Sequence, residues 1–418
     1  MAGKRPHGDE GKKNPGPQEE APRSGGLSRR QFLGAGAATG ALAALGGSPA
    51  ALAAGHGGGR GSGSRGGGDL VLVNGRIHTM DGSGTVASSV AIQDGRIVSV
   101  DRGARGGGGG RVINLRGRTV VPGIIDNHNH IVLMGNRPGH HTPLENAYSI
   151  ADVQETYARR AGDVPAGEFI TTIGGFHFNQ FAETRLPTLA ELDEAVGDHP
   201  AYISVGFAGP TVTNSAGKAW FEERGIPVAD DGSIEGGGFG PSPTGEALLA
   251  LRQELLNPAT RRRGAMEAMA YGAGLGVTTH LDQGAFQATG TPADGAAHED
   301  NFTMHLPFLE LYREGELGVR LRINFLNLET DPEVPLLTAR LQNAFQFFGG
   351  DLVRTGAIGE FTAGDPFELF AGTEPSEAWR EGTRRVAEAG WRNENHSLSA
   401  TDFQAIIEGW EEVNSQHD

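Results

Sequence analysis

The residues with the clearest chemical spacing are His128 and His130, which close the run Pro122-Gly123-Ile124-Ile125-Asp126-Asn127-His128-Asn129-His130. Alternate side chains of a strand share a face, so the two imidazoles point the same way. Two neutral imidazoles on one face can ligate one divalent cation. At the C-terminal end of a barrel strand they would stand on the rim where barrel enzymes keep their active sites. Taken alone, such a pair is more often two ordinary histidines, and the elements around it have to carry the argument.

Those elements read as α/β. Between residues 69 and 121, β-rich runs at 70–73, 76–79, 86–92, 97–100 and 119–121 are punctuated by Asn74-Gly75 and Asp94-Gly95, the pairs that hairpins favour. They predict a small antiparallel domain, a β-sandwich. Beyond it, apolar runs at 124–127, 276–281, 319–326 and 356–361, and the segment before His396, alternate with amphipathic helices such as 260–272 and 377–389. That alternation predicts a parallel α/β core of about five strands over residues 122–418. Residues 131–260 form a long excursion with strand candidates at 169–173 and 202–205, expected as an insertion over the barrel mouth.

Composition narrows the partners. A formal charge of -16 argues against nucleic acid and anionic membranes, which are met by basic surface, and favours a small-molecule substrate. With no cysteine, disulfides, thiolate ligands and cysteine nucleophiles are excluded together. Beyond Lys4, Lys12 and Lys13 the chain has one lysine, Lys218.

The N-terminus has its own organisation. Residues 1–27 are polar and Pro/Gly-rich; Ser28-Arg29-Arg30-Gln31-Phe32-Leu33 then precedes a Gly/Ala/Leu stretch and Ala51-Leu52-Ala53. This resembles a twin-arginine export signal ending near residue 54, which implies a periplasmic or extracellular protein. The rival reading is a membrane anchor, but the stretch is rich in glycine and holds Pro49, so cleavage with no stable membrane association is expected. Residues 55–68 read as a Gly-rich linker.

Several motifs together carry a resemblance. Leu72-Val73-Asn74-Gly75-Arg76-Ile77, Asp94-Gly95-Arg96-Ile97 and Val121-Pro122-Gly123-Ile124-Ile125-Asp126 before His-x-His resemble the amidohydrolase superfamily. Leu186-Pro187-Thr188, Thr213-Asn214-Ser215 and Gly276-Val277-Thr278-Thr279-His280-Leu281-Asp282 are most similar to its amidohydrolase-3 group, which includes formamide deformylase-like enzymes. The resemblance implies a TIM-like (β/α) barrel of the metal-dependent hydrolase type. It also implies one or two divalent ions, zinc above all, with histidines on strands one, five and six, a carboxylate on strand four and an aspartate on strand eight.

Carried onto this chain, the resemblance gives His128 and His130 on strand one, Glu360 within Gly356-Ala357-Ile358-Gly359-Glu360-Phe361 on strand four, and His396 on strand five. Many relatives have a carboxylated lysine where Glu360 stands; Lys218 is poorly placed for that role. His280, Asp282 and His177 are candidates for substrate contact or for supporting the ligands, with His280 and Asp282 expected at the barrel mouth. His140, His141 and His305 are spare candidates for substrate contact, and for each alone the ordinary structural reading is favoured. The strand-six histidine and the general-base aspartate of strand eight find no counterpart, so the barrel is expected to be incomplete. The activity implied is hydrolysis of non-peptide carbon-nitrogen bonds, as in amides or N-substituted formamides. The alternatives are an inactive truncated chain, one half of a split enzyme that needs a complementing C-terminal half, or an exported binding protein without turnover. A homo-oligomer is left open.

Overall fold

The structure, a computed structural model, describes residues 70–101, 110–206, 209–236, 242–284, 304–363, 375–397 and 399–416. The leader and linker expected over residues 1–68 lie outside the described residues.

Seven short strands open the described chain: β1 (Leu70–Val73), β2 (Arg76–His78), β3 (Val86–Ala87), β4 (Val90–Gln93), β5 (Arg96–Val100), β6 (Arg111–Asn114) and β7 (Thr119–Val120). They form two sheets, ordered β5-β4-β1-β6 and β3-β2-β7. Asp94 takes positive φ, 48°, in the tight hairpin turn between β4 and β5, and Asn74, at φ 56°, turns the chain from β1 in one sheet to β2 in the other. The sheets are mixed rather than antiparallel, because β1 pairs with β6 and β2 with β7 in parallel. The sequence hid β6 behind the Gly-rich tract before it, which reads as loop.

β8 (Ile124–Asn129) and the short helix α1 (Ile131–Gly135) follow. The chain then builds another sheet from β9 (His140–His141), β10 (Ile170–Ile173), β11 (Ala201–Ser204), β12 (Thr211–Thr213) and β13 (Ser233–Ile234), ordered β13-β12-β11-β10-β9. Helices α2 (Ile150–Ala161), α3 (Leu189–Val196), α4 (Ser215–Glu222) and α5 (Pro243–Leu255) belong to the same segment. Two apolar clusters fill it, one around Tyr157, Ile170, Leu192 and Ile203, the other around Phe169, Tyr202, Phe221 and Leu251. Local signals fix its helices: Thr188 and Glu191 form a capping box that satisfies the first N–H groups of α3.

The return to the sheet of β8 runs through α6 (Pro258–Gly274), β14 (Val277–Asp282), α7 (Leu306–Arg313), β15 (Arg320–Phe325), α8 (Pro335–Asn343), β16 (Val353–Ile358), α9 (Glu377–Glu388) and α10 (Ala400–Ser415). All three pairings in the order β16-β15-β14-β8 are parallel, and a parallel bridge from Ile358 to Asn393 continues the series. Parallel neighbours joined through helices are what the alternating pattern required. Helices α1, α6 and α7 cover one face through Ile131, Val132, Met269, Phe308 and Leu321. Gly264 of α6 lies so close to α1 that a Cβ there would stand 2.3 Å from the Gly135 carbonyl oxygen.

Candidate metal centre

The parallel register brings the ends of β8 and β16 into one place. Glu360, two residues past β16, is almost fully buried: its side chain is 5% exposed, against 53% for His128 and 27% for His130. Its Oε2 lies 3.2 Å from His128 Nε2 and its Oε1 lies 3.1 Å from His130 Nε2. Among the described residues, His128, His130 and Glu360 form a group whose donor atoms all lie within 4.8 Å of one another, a spacing that one cation can bridge.

Neighbouring groups hold each ligand. The ring Nδ1 of His130 is 2.7 Å from the Gly284 carbonyl oxygen. A carbonyl only accepts, so Nδ1 donates to it, and Nε2 is left to donate to Glu360 when protonated or to face a cation when not. Gly284 is held in turn by Asp282, whose Oδ2 accepts from its N–H at 3.1 Å. On the other side, His396 donates its backbone N–H to the Glu360 carbonyl at 2.8 Å and sets its ring Nδ1 2.6 Å from Glu360 Oε2. That approach needs glycine at 359, which has φ +151°: a Cβ there would meet Glu394 at 2.6 Å.

The electrostatics follow from burial and partners. Burial works to raise the Glu360 pKa, but the hydrogen bonds from His130 and His396 win and bring it down to about 2. Burial likewise works to lower that of His130, yet the Glu360 carboxylate and the Gly284 carbonyl leave it raised. The carboxylate is therefore ionised at neutral pH, as a cation ligand must be.

Of the candidates read from the sequence, the structure brings four together, His128, His130, Glu360 and His396. His396 touches Glu360 but does not join the three-donor group.

His280 and Asp282 require a correction, because they face the helices rather than the mouth. The His280 ring packs against α6, where a Cβ on Gly272 would lie 3.0 Å from it, and its Nδ1 meets the Asn129 amide. Asp282 is fully buried, 2.6 Å from His305 Nε2, with its Oδ1 accepting from the Val132 N–H at 3.0 Å. Period-two alternation shows that the two residues share a face, but it does not show which side of the sheet that face is on. His177 caps a short 3-10 turn over Phe178–Gln180, where its Nδ1 accepts from the Asn179 N–H.

One cluster escaped the sequence reading. Glu394 Oε2 accepts from the Gln283 and Asn324 amides, each at 2.7 Å, and Asn324 Nδ2 also reaches Gln283 Oε1. The signal available was the unexpected polarity of Asn393-Glu394-Asn395. Its cause is now visible, since Asn393 takes the Thr362 hydroxyl and Asn395 takes the Trp379 indole N–H.

Comparisons with known proteins fit this picture. The family model described as "Amidohydrolase family" matches residues 111–418. An N-substituted formamide deformylase of Arthrobacter pascens is 32% identical over 143 residues, 32% of this chain and 26% of that protein. An allantoinase of Enterococcus faecalis is 29% identical over 169 residues, 40% of this chain and 32% of that protein. The matches thus span a quarter to a third of these relatives' lengths. An uncharacterized metal-dependent hydrolase of Pyrococcus furiosus superposes with a TM-score of 0.49 at 17% identity, over 83% of this chain and 70% of that one.

Proposed function

We propose, from the premise that this chain belongs to the amidohydrolase family, that it is a metal-dependent hydrolase of non-peptide carbon-nitrogen bonds in small molecules. The observation that carries the reading is the convergence of His128, His130 and Glu360. The donor set suits a divalent cation, zinc first, since two imidazoles and one carboxylate are borderline ligands and no thiolate is present. A cation there supplies Lewis-acid polarisation of a carbonyl and a nucleophile at neutral pH.

The chain's own residues supply the rest. Glu360 stays ionised in a buried place, Gly284 fixes the His130 tautomer, and His396 orients the Glu360 carboxylate through Nδ1. The substrates proposed are N-substituted formamides or simple amides, by likeness to the Arthrobacter pascens protein.

A second reading is that the centre binds its cation but turns over only beside a complementing chain. One observation favours it: Ile124 and Ile125 of β8, an edge strand, are 52% and 67% exposed. Export by the twin-arginine route is proposed on Arg29 and Arg30, and replacing both with lysine should retain the protein in the cytoplasm.

The deciding experiment measures bound metal and hydrolysis of N-alkylformamides by the purified protein, with His128→Ala as control. Stoichiometric zinc and turnover, both lost in the variant, support the first reading. Zinc without turnover supports the second, and no metal at any pH defeats both.

A further inference from the structure

Glu394, Asn324 and Gln283 meet across strands that a flat sheet would hold apart. Outside β16, residues 392–396 continue the parallel ladder through the bridge from Asn393 to Ile358. Glu394 therefore stands two strands from Asn324 of β15 and three from Gln283, one residue past β14. Neighbouring strands lie about 4.8 Å apart, which would put Glu394 about 14 Å from Gln283 in a flat sheet. Yet Glu394 Oε2 accepts from Asn324 Nδ2 and from Gln283 Nε2, each at 2.7 Å. The sheet curls, and these side chains meet on its concave side.

The way across β16 is open because the chain carries glycine at 356 and 359. A Cβ on Gly356 would stand 2.2 Å from Asn324 Oδ1, and one on Gly359 would stand 2.6 Å from the Glu394 Cβ. The hydrogen bonds have one assignment. Asn324 Oδ1 accepts from the Ala357 N–H at 2.8 Å, so Nδ2 is the atom that donates to Glu394 and, at 2.9 Å, to Gln283 Oε1. With its oxygen taken, Gln283 turns Nε2 to the carboxylate. An apolar trio could fill this space without desolvating a carboxylate. What the hydrogen bonds add is a fixed separation.

Each member of the trio also sits beside a backbone bond that seats a metal ligand. The Gln283 N–H donates at 2.8 Å to the carbonyl of Asn129, which lies between His128 and His130, and the adjacent Gly284 carbonyl receives His130 Nδ1. Phe325, next to Asn324, accepts the Gly359 N–H at 3.0 Å, one residue before Glu360. Glu394 donates its own N–H to the Ile358 carbonyl at 2.9 Å, and two residues on, the His396 N–H seats the Glu360 carbonyl. The metal centre needs the same curl, because β8 and β16 are three strands apart in their sheet.

We propose that Glu394 is a positioning residue of the metal centre. Through Gln283 and Asn324 it holds the curl at which Glu360 meets His128 and His130. That role rests on the reading of those three ligands as a cation site.

The test is a cobalt(II) titration of the full chain, first stripped with chelator, followed by the visible absorption of the ion, which reports its ligand geometry. The wild type should bind cobalt saturably and release it to zinc. Glu394→Leu should bind ~10-fold more weakly with a changed absorption band, and Gln283→Leu likewise. Glu394→Gln keeps an oxygen that can accept from both amides, so it should recover the wild-type band and most of the affinity. Ile203→Ala, in the inserted sheet, should lower stability and leave cobalt binding unchanged, which separates positioning from a general loss of stability. Should Glu394→Leu fail to fold, Gln283→Leu and Glu394→Asp, whose carboxylate is one carbon short, decide in its place. Unchanged cobalt binding in the leucine variants, no recovery with glutamine, or an equal loss in Ile203→Ala overturns the proposal and leaves the cation site standing. No cobalt binding by the wild type overturns the cation site, and this role with it.

Discussion

The inserted sheet and the sheet that carries the metal centre solve opposite problems. In the insert, β10 and β11 are buried at every residue, with Ile170 and Ile203 fully enclosed. In the site sheet, β8 has no buried residue: four of its six are exposed and two, Asp126 and Asn129, are half-buried, and His128 itself is half open. A strand that must show ligands to a substrate gives up cover on one face, and its stability has to come from elsewhere. Asp282 supplies part of it by tying β14 to α1 and α7 from the covered face.

The largest expected effect is therefore at Asp282. Replacing it with alanine strands His305 and two backbone N–H groups, and should cost about 3–5 kcal/mol in urea denaturation. The same change loosens Gly284 and should weaken zinc binding ~10- to 100-fold. A stability loss with zinc affinity intact would break the link drawn between the two.

The contrast between the sheets sharpens next. Ile203→Ala should cost about 2–5 kcal/mol, whereas Ile125→Ala, on a residue 67% exposed, should cost under ~1 kcal/mol. Equal costs would mean that β8 is covered in solution by something absent from this chain.

The pH profile of the metal-free protein tests the site electrostatics. The Glu360 pKa falls from 4.5 to about 2 on folding, so its contribution is present above 4.5 and is lost as pH falls towards 2. That of His130 is raised above 6.5, so its contribution is present below 6.5 and is lost as pH rises through the raised value. With chelator present, the pair should help most between pH 4.5 and 6.5 in a series of thermal melts. Zinc needs the unprotonated imidazole, so its affinity should fall as pH drops through the same raised value.

A similarly small effect is expected at the α3 cap. Thr188→Ala removes the hydroxyl that accepts from the Glu191 N–H and should cost about 1 kcal/mol, with no change in zinc content.

Much of the molecule was legible because it is written in local periods. Asn74-Gly75 and Asp94-Gly95 announce their turns, the four apolar runs fall on β8, β14, β15 and, offset by three residues, β16, the segment before His396 holds the bridge at Asn393, and 169–173 and 202–205 fall on β10 and β11. β6 was not legible, and neither was the parallel pairing of β6 and β7, since nothing within a strand names its distant neighbour.

The division runs the same way at the sites. The sequence by itself determined that His128 and His130 share a face and that no thiolate or nearby lysine can serve as ligand, because backbone geometry and composition are local facts. Only the tertiary structure decided that Glu360 closes on both imidazoles and that Asp282 turns to the helices. Those meetings depend on the register of strands far apart in the chain, and between β8 and β14 that register shifts at Val277/Thr279 and His280/Asp282. A bulge moves side chains by a full step without changing any local pattern, so it is decided where the two strands meet.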